Sequence, residues 1–164
     1  MIKTTRLHIT YFKEDMAYDV HINSLDEDNR RFVPDEVFET EEEALDTILF
    51  LKEQYDKNDG PYVYPILNED KKNIGYIQLI KIDEGYEVGY HIGKQYTNKG
   101  YATEALIAFV PYMKNKFNLD KVYAICLKEN VASLKVLEKS GFKLFFDGIG
   151  IYQNNKKEIC KFYY

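Results

Sequence analysis

The chain has 164 residues, 45% of them apolar and 30% charged, which is the length and composition of one globular domain and excludes both a disordered chain and a membrane bundle. Its 22 Lys and Arg against 27 Asp and Glu give a net charge of -5, with the basic residues scattered rather than striped, which argues against nucleic acid as a partner. An acidic surface weakly favours cationic partners such as amines or polyamines, although such a balance is commonest simply as a solubility device.

Residues 6–12 (RLHITYF) alternate and carry β-favouring types, predicting a first strand. Residues 15–24 read as helix, and the polar run 26–35 as a loop that turns Phe32 and Val33 inward ahead of Pro34; loops of this kind often border sites. Thr40-Glu41-Glu42-Glu43 is a capping box, and Ala44, Ile48, Leu51 and Tyr55 follow at helical spacing, predicting a helix over 41–55 stopped by Asn58-Asp59-Gly60-Pro61. Residues 62–67 and 74–82 form a hairpin, and Asp83-Glu84-Gly85 turns into a further antiparallel strand over 86–93.

Beyond that strand the period changes. Residues 100–117 carry Ala102, Ala105, Leu106, Phe109, Tyr112 and Met113 at three- and four-residue steps, an amphipathic helix expected to bend at Pro111. Residues 121–127 (KVYAICL) are nearly all apolar, as in a strand buried on both faces. A helix led by Asn130 ends at Gly141, a residue suited to a left-handed cap. Short strands over 142–146, 149–153 and 158–164 complete a single domain spanning 1–164.

Cys126 and Cys160 sit in apolar surroundings, and His8, His21 and His91 show no metal-ligand spacing, so no metal is expected. The first residues lack a continuous apolar leader, and the longest apolar stretch is broken by Pro111, so the sequence predicts a cytoplasmic protein with no membrane partner. Monomer and homodimer both stay open.

The most informative stretch is YEVGYHIGKQYTNKGYATEA, residues 86–105, where a strand runs through a short loop into a helix with Gly100 and Ala102 at its start. A helix N-terminus leaves four amides unpaired at the positive end of its dipole, so phosphate oxygens bind there, and Lys99 adds a full charge. On spacing alone, anion binding and a plain crossover stand level.

N-K-G-Y-A-T-E-A resembles the pyrophosphate loop of the GNAT superfamily of acetyl-CoA-dependent N-acetyltransferases, patterned Gln/Arg-x-x-Gly-x-Gly/Ala. E-N-V-A-S-L-K-V-L-E-K-S-G-F, residues 129–142, is similar to that superfamily's Asn-led helix followed by Gly-Phe. The N-terminal T-T-R-L, the F-V-P loop and E-V-G-Y further resemble its RimJ/RimL-type branch. The resemblance implies a mixed α+β domain with a mostly antiparallel sheet of about seven strands, about four helices on its two faces, and a splay between the fourth and fifth strands, 86–93 and 121–127.

It also implies binding of acetyl-CoA through backbone groups of Asn98, Lys99, Gly100, Tyr101, Ala102 and Thr103. Thr97 stands where the pattern has Gln or Arg. The splay would leave His91, Ile92 and Gly93 to hold the pantetheine arm as an added strand, joined by Asn130 and Ser133. The implied reaction is acetylation of a primary amine, on a small molecule or a peptide N-terminus, by direct attack in a ternary complex.

An ammonium with a pKa of about 10.4, or an α-amine at about 7.7 to 8.0, must lose a proton before attack, so a base is useful. Glu87 is the first candidate. It shares a strand face with Gly89 and His91 by the period of two, so a carboxylate and an imidazole could flank the same space as catalytic groups, either acting through a water; an exposed carboxylate and a satisfied half-buried ring are the plainer readings. Many members protonate the departing thiolate with a tyrosine seven residues after the Asn, where this chain has Leu137; Ser133, Tyr90 or solvent is expected to replace it. Phe32, Val33, Tyr62 and Tyr64 would stand, with Glu87, on the acceptor side. A CoA-binding sensor without catalysis is the competing expectation.

Overall fold

The computed structural model describes residues 1–164 and arranges them as one eight-stranded mixed sheet covered by helices on both faces. In chain order the elements are β1 (Ile2–Lys3), β2 (His8–Ile9), α1 (Ala17–Ser24), α2 (Glu27–Phe32), α3 (Glu41–Gln54), β3 (Tyr62–Leu67), β4 (Asn73–Ile82), β5 (Gly85–Ile92), α4 (Tyr101–Phe117), β6 (Tyr123–Leu127), α5 (Val131–Lys139), β7 (Lys143–Tyr152) and β8 (Asn155–Tyr163). The strand order is β1-β2-β3-β4-β5-β6-β8-β7, antiparallel throughout except for β5 and β6.

Side-chain alternation splits the core in two. Ile77 and Leu79 of β4 and Val88 and Ile92 of β5 join Leu106, Phe109, Val110 and Met113 of α4 in a core of 22 buried residues. On the other face, Val63 and Leu67 of β3 pack with Met16, Ala17, Ile48 and Leu51 of the α1 and α3 region. α4 runs unbroken through Pro111.

Several expectations change. The first strand shrinks to His8–Ile9 and gains a partner, Ile2–Lys3, in the segment before it. Residues 26–35 are not a plain loop: Asp26 caps the short helix α2 through the Asn29 amide at 2.8 Å, and a 3₁₀ turn, Pro34–Glu36, follows. The capping box forms by half, because Thr40 Oγ1 accepts from the Glu43 amide at 3.1 Å while Glu43 Oε2 takes the Glu39 amide at 2.7 Å instead of reaching Thr40. The two strands expected over 142–153 are one, β7, with a register shift between Leu144 and Phe146. The chain then doubles back so that β8 lies between β7 and β6. β7 is therefore the sheet edge, and Phe145, Ile149 and Ile151 on it are exposed.

Candidate active site

β5 and β6 meet at a single residue pair, Glu87 opposite Tyr123, so the only parallel contact in the sheet is one rung wide. Along the other edge of β5 the ladder to β4 is complete from Gly85 to Ile92. Gly93 N donates to Ile74 O at 2.9 Å, which fixes the alternation: backbone groups of His91 and Gly89 turn toward β4, and those of Tyr90 and Ile92 turn into the gap beside β6. An extended chain lying in that gap would find these groups free.

The turn out of β5 is tightly built. A Cβ at Gly93 would run into Asn23 Oδ1, which accepts from Gln95 Nε2 at 3.0 Å, so a larger residue would have to displace that side chain. A 3₁₀ turn, Lys94–Tyr96, follows, and Thr97 Oγ1 closes it by donating to Lys94 O at 2.8 Å. Asn98 (φ 61°) and Gly100 (φ 79°) then both adopt left-handed backbone. Gly100 is the N-cap of α4, and the first amide bonded into the helix is that of Glu104, to Gly100 O at 3.0 Å. The amides of residues 98–103 have no acceptor within the chain. Residues 97–100 are exposed, so this end of a 17-residue helix offers donors and a positive dipole end to an anion.

Glu87 lies on the face of the sheet away from α4. Burial pushes its carboxyl up to about 7, with Lys161 opposing and Glu84 adding to the shift. His91 shares that face, and its Nε2 lies 3.2 Å from Asp26 Oδ2. Burial opposes the Asp26 charge, but the His91 hydrogen bond and the Asn29 amide outweigh it and hold the carboxyl below its usual value. Both side chains are largely enclosed, at 15% and 10% exposed. With Nε2 paired to Asp26 and its backbone spent on Tyr76, His91 turns no backbone group toward the gap, where the sequence expectation had it holding the pantetheine arm.

Sequence reasoning missed Glu36. It follows α2 in the 3₁₀ turn, its Oε2 is buried with no hydrogen-bond partner, and burial raises its carboxyl above the ordinary value, with His91 and the Gln78 amide pulling it back and Asp35 adding to the rise. Burial likewise raises the Tyr152 phenol, with the charges of Glu87 and Glu36 adding to the rise. The Tyr152 hydroxyl reaches toward Phe32 O at 3.5 Å and Gln153 Nε2 donates to it at 3.3 Å, so the tip of the β7–β8 hairpin braces α2 over this face. Phe32 and Val33 sit half-buried in that segment. The sequence signal for Glu36 was only its place two residues after Pro34.

Tyr62 and Tyr64 do not join them. The register aligns Tyr64 with Ile77 and Tyr90, on the α4 face, and both tyrosines are buried, at 2% and 4% exposed. Tyr62 donates to Lys57 O at 2.6 Å and Tyr64 packs against Tyr11, Tyr55 and Phe109. They are core side chains.

Across the sheet, the Tyr90 hydroxyl meets Ser133 Oγ of α5 at 2.8 Å. Asn130 caps α5, its Oδ1 accepting from the Ser133 amide at 3.1 Å, which leaves its amide nitrogen free. Leu137 is 1% exposed and packs in the core, so its position offers no acid. The two groups of side chains, Glu87 with Glu36 and the Asp26–His91 pair on one face, Tyr90 with Ser133 on the other, flank the gap between β5 and β6.

Residues 6–143 match the acetyltransferase (GNAT) domain family. An uncharacterized N-acetyltransferase of Bacillus subtilis, YnaD, is 32% identical over 145 residues, 87% of this chain and 82% of that protein. A GNAT-family acetyltransferase structure from Bacillus anthracis superposes with a TM-score of 0.82 at 27% identity, covering 99% of this chain and 95% of that one. RimL, an alpha-N-protein acetyltransferase acting on a ribosomal protein and solved in complex with coenzyme A, shares the fold at a TM-score of 0.80 and 16% identity, over 98% and 94% of the two chains. A strand pair opened beyond one rung, a helix terminus with free amides beside it and these relatives agree: the chain belongs to the GNAT acetyltransferase family and is an enzyme that transfers acyl groups.

Proposed function

We propose that this enzyme moves the acetyl group of acetyl-CoA to a primary amine, on a small molecule or a peptide N-terminus, by direct attack in a ternary complex. The amides of residues 98–103 and Lys99 take the diphosphate. The arm lies along Tyr90 and Ile92 in the gap, with the Asn130 amide as a further donor, and delivers the thioester beside Glu87. RimL, a structural neighbour, was solved with coenzyme A, which supports the choice of donor.

The observation that carries the reading is the half-buried Glu87 carboxyl, raised to about 7, at the one rung where β5 and β6 part. A base of that strength is half ionised near neutral pH and can take a proton from an ammonium, directly or through one water. The amine lone pair then forms the C–N bond at the thioester carbon. The Tyr90 amide, which of the two turned into the gap is the nearer to Glu87, stabilises the oxyanion. As the C–O double bond reforms, the C–S bond breaks; the nitrogen sheds its second proton to water, and Ser133 gives the sulfur a proton that Tyr90 and solvent restore to it. Carboxyl groups of Asp26, Glu36 and Glu87 on the acceptor face suit an incoming cation. T-T-R-L, F-V-P and E-V-G-Y support a place in the RimJ/RimL-type branch.

Thiol release from acetyl-CoA over a panel of amines, with Glu87→Gln beside the natural chain, tests the reading. Release that depends on the amine and falls in the variant supports it. The buried Leu137 favours a second reading, a sensor that binds CoA and transfers nothing; CoA affinity with no thiol release for any amine would select it. No helix is long and apolar enough to cross a membrane.

A further inference from the structure

Arg6 lies far from α4 in sequence and is bound to it by four contacts and to the turn before it by a fifth. Its Nε donates to Glu104 Oε2 at 2.8 Å, its Nη2 lies 2.7 Å from the same oxygen, and its backbone amide donates to Glu104 Oε1 at 3.0 Å. Its Nη1 donates to Lys99 O at 2.9 Å, inside the turn whose amides point outward. The guanidinium carbon stands 4.6 Å from the centre of the Tyr101 ring. Thr4 adds a hydroxyl bond to Glu104 Oε1.

Glu104 occupies the first turn of α4, where a carboxylate complements the helix dipole but also faces whatever anion the free amides attract. Burial opposes its charge, yet hydrogen bonds from Thr4 and Arg6 and the Arg6 charge win, and they hold the carboxyl below the ordinary value. A standing negative charge thus sits beside the anion site, and the Arg6 fork is the group turned onto it. Lys99 lies nearer Tyr96, its Nζ 5.9 Å from that ring.

We propose that Arg6 is a positioning residue for the nucleotide thioester: it cancels the Glu104 charge at the N-terminus of α4 and pins the Lys99 carbonyl inward, so that the amides of 98–103 meet a diphosphate without a competing carboxylate. This rests on the acetyl-CoA reading. It adds a role for the T-T-R-L segment that the phosphate loop alone does not show.

The test is calorimetry of CoA binding to the natural chain, Arg6→Gln, Glu104→Gln and the double variant, paired with steady-state kinetics using acetyl-CoA and the acetyl thioester of pantetheine, which lacks the diphosphate. Arg6→Gln is expected to weaken CoA binding about five- to tenfold, the effect of a charge interaction near 1 kcal/mol, and to raise KM for acetyl-CoA while kcat stays within about twofold. The double variant is expected to recover most of that loss, and the pantetheine thioester to respond to neither change. A double variant as weak as Arg6→Gln, or equal losses with both donors, would reduce Arg6 to a structural tether and overturn the inference, leaving the enzymatic reading intact. Absence of CoA binding to the natural chain would instead overturn the donor assignment itself, and the inference with it.

Discussion

The Tyr90 hydroxyl lies 2.8 Å from Ser133 Oγ and 3.3 Å from the Ser133 carbonyl, joining a β5 side chain to the first turn of α5 across the gap. Burial raises the Tyr90 phenol, so it stays protonated and serves as a donor. Tyr90→Phe and Ser133→Ala are each expected to lower kcat about tenfold, below the usual range for a general acid because a thiolate leaves readily. KM for the amine should not move. Stopped-flow thiol release reads the effect, and unchanged kcat in both variants would remove the pair from proton delivery.

Glu87→Gln is expected to reduce kcat/KM by about 10²–10⁴. In the natural chain kcat/KM should climb with pH through an inflection near 7, where Glu87 ionises, and the variant should lack it. Stability moves the other way. A folded pKa of about 7 against an ordinary 4.5 means that the folded chain holds the Glu87 proton more tightly, so this contribution is complete below 4.5 and is lost as pH rises through 7. Melting temperatures across that window should fall in the natural chain and stay flatter in Glu87→Gln.

Asp26 both caps α2 and pairs with His91, so Asp26→Ala costs about 1 kcal/mol for the cap alone. The larger effect is expected on KM for the amine, because α2 carries Phe32 and the segment leading to Glu36. Its folded carboxyl titrates below 3.8, so the stability it supplies is present above that value and is lost as pH falls through the lower one. Urea melts with amine titrations at neutral pH separate the two effects.

Gly100 has room for a Cβ, the nearest atom being Arg6 Nη2 at 3.6 Å, but not the backbone for one, since its φ is 79°. Gly100→Ala should cost roughly 1 kcal/mol of stability and keep CoA binding, whereas Gly100→Glu places a carboxylate against the diphosphate and should abolish it. Calorimetry that finds CoA affinity intact in Gly100→Glu would count against the loop.

What sequence showed and what it hid divide along one physical line. α3, the β3–β4 hairpin, β5 and the turn into α4 were readable because caps, turns and periodicity act between near neighbours. Ile2–Lys3 is a strand only because Ile9 and His8 lie opposite it, and two residues carry no period. α2 has its own signal, Asp26 before Glu27 and Asp28, but five polar residues ahead of Phe32 resemble a loop. Glu87, Gly89 and His91 shared a face as alternation required. The Asp26 carboxylate on His91, the Arg6 fork on Glu104 and the loss of Tyr62 and Tyr64 to the core all come from tertiary pairing, which no local pattern encodes.

The placement of β8 between β6 and β7 has a consequence for biosynthesis. Cys160 and Phe162 are buried in the same core as α4, and β6 has no other neighbour on that side. The strand that backs β6, and with it one side of the gap beside β5, is therefore made after everything it joins. A nascent chain can assemble the meander and both helical layers early, yet β6 stays without its antiparallel partner until β8 emerges, and a nonsense mutation just upstream of residue 155 would leave β6 and β7 exposed to aggregation.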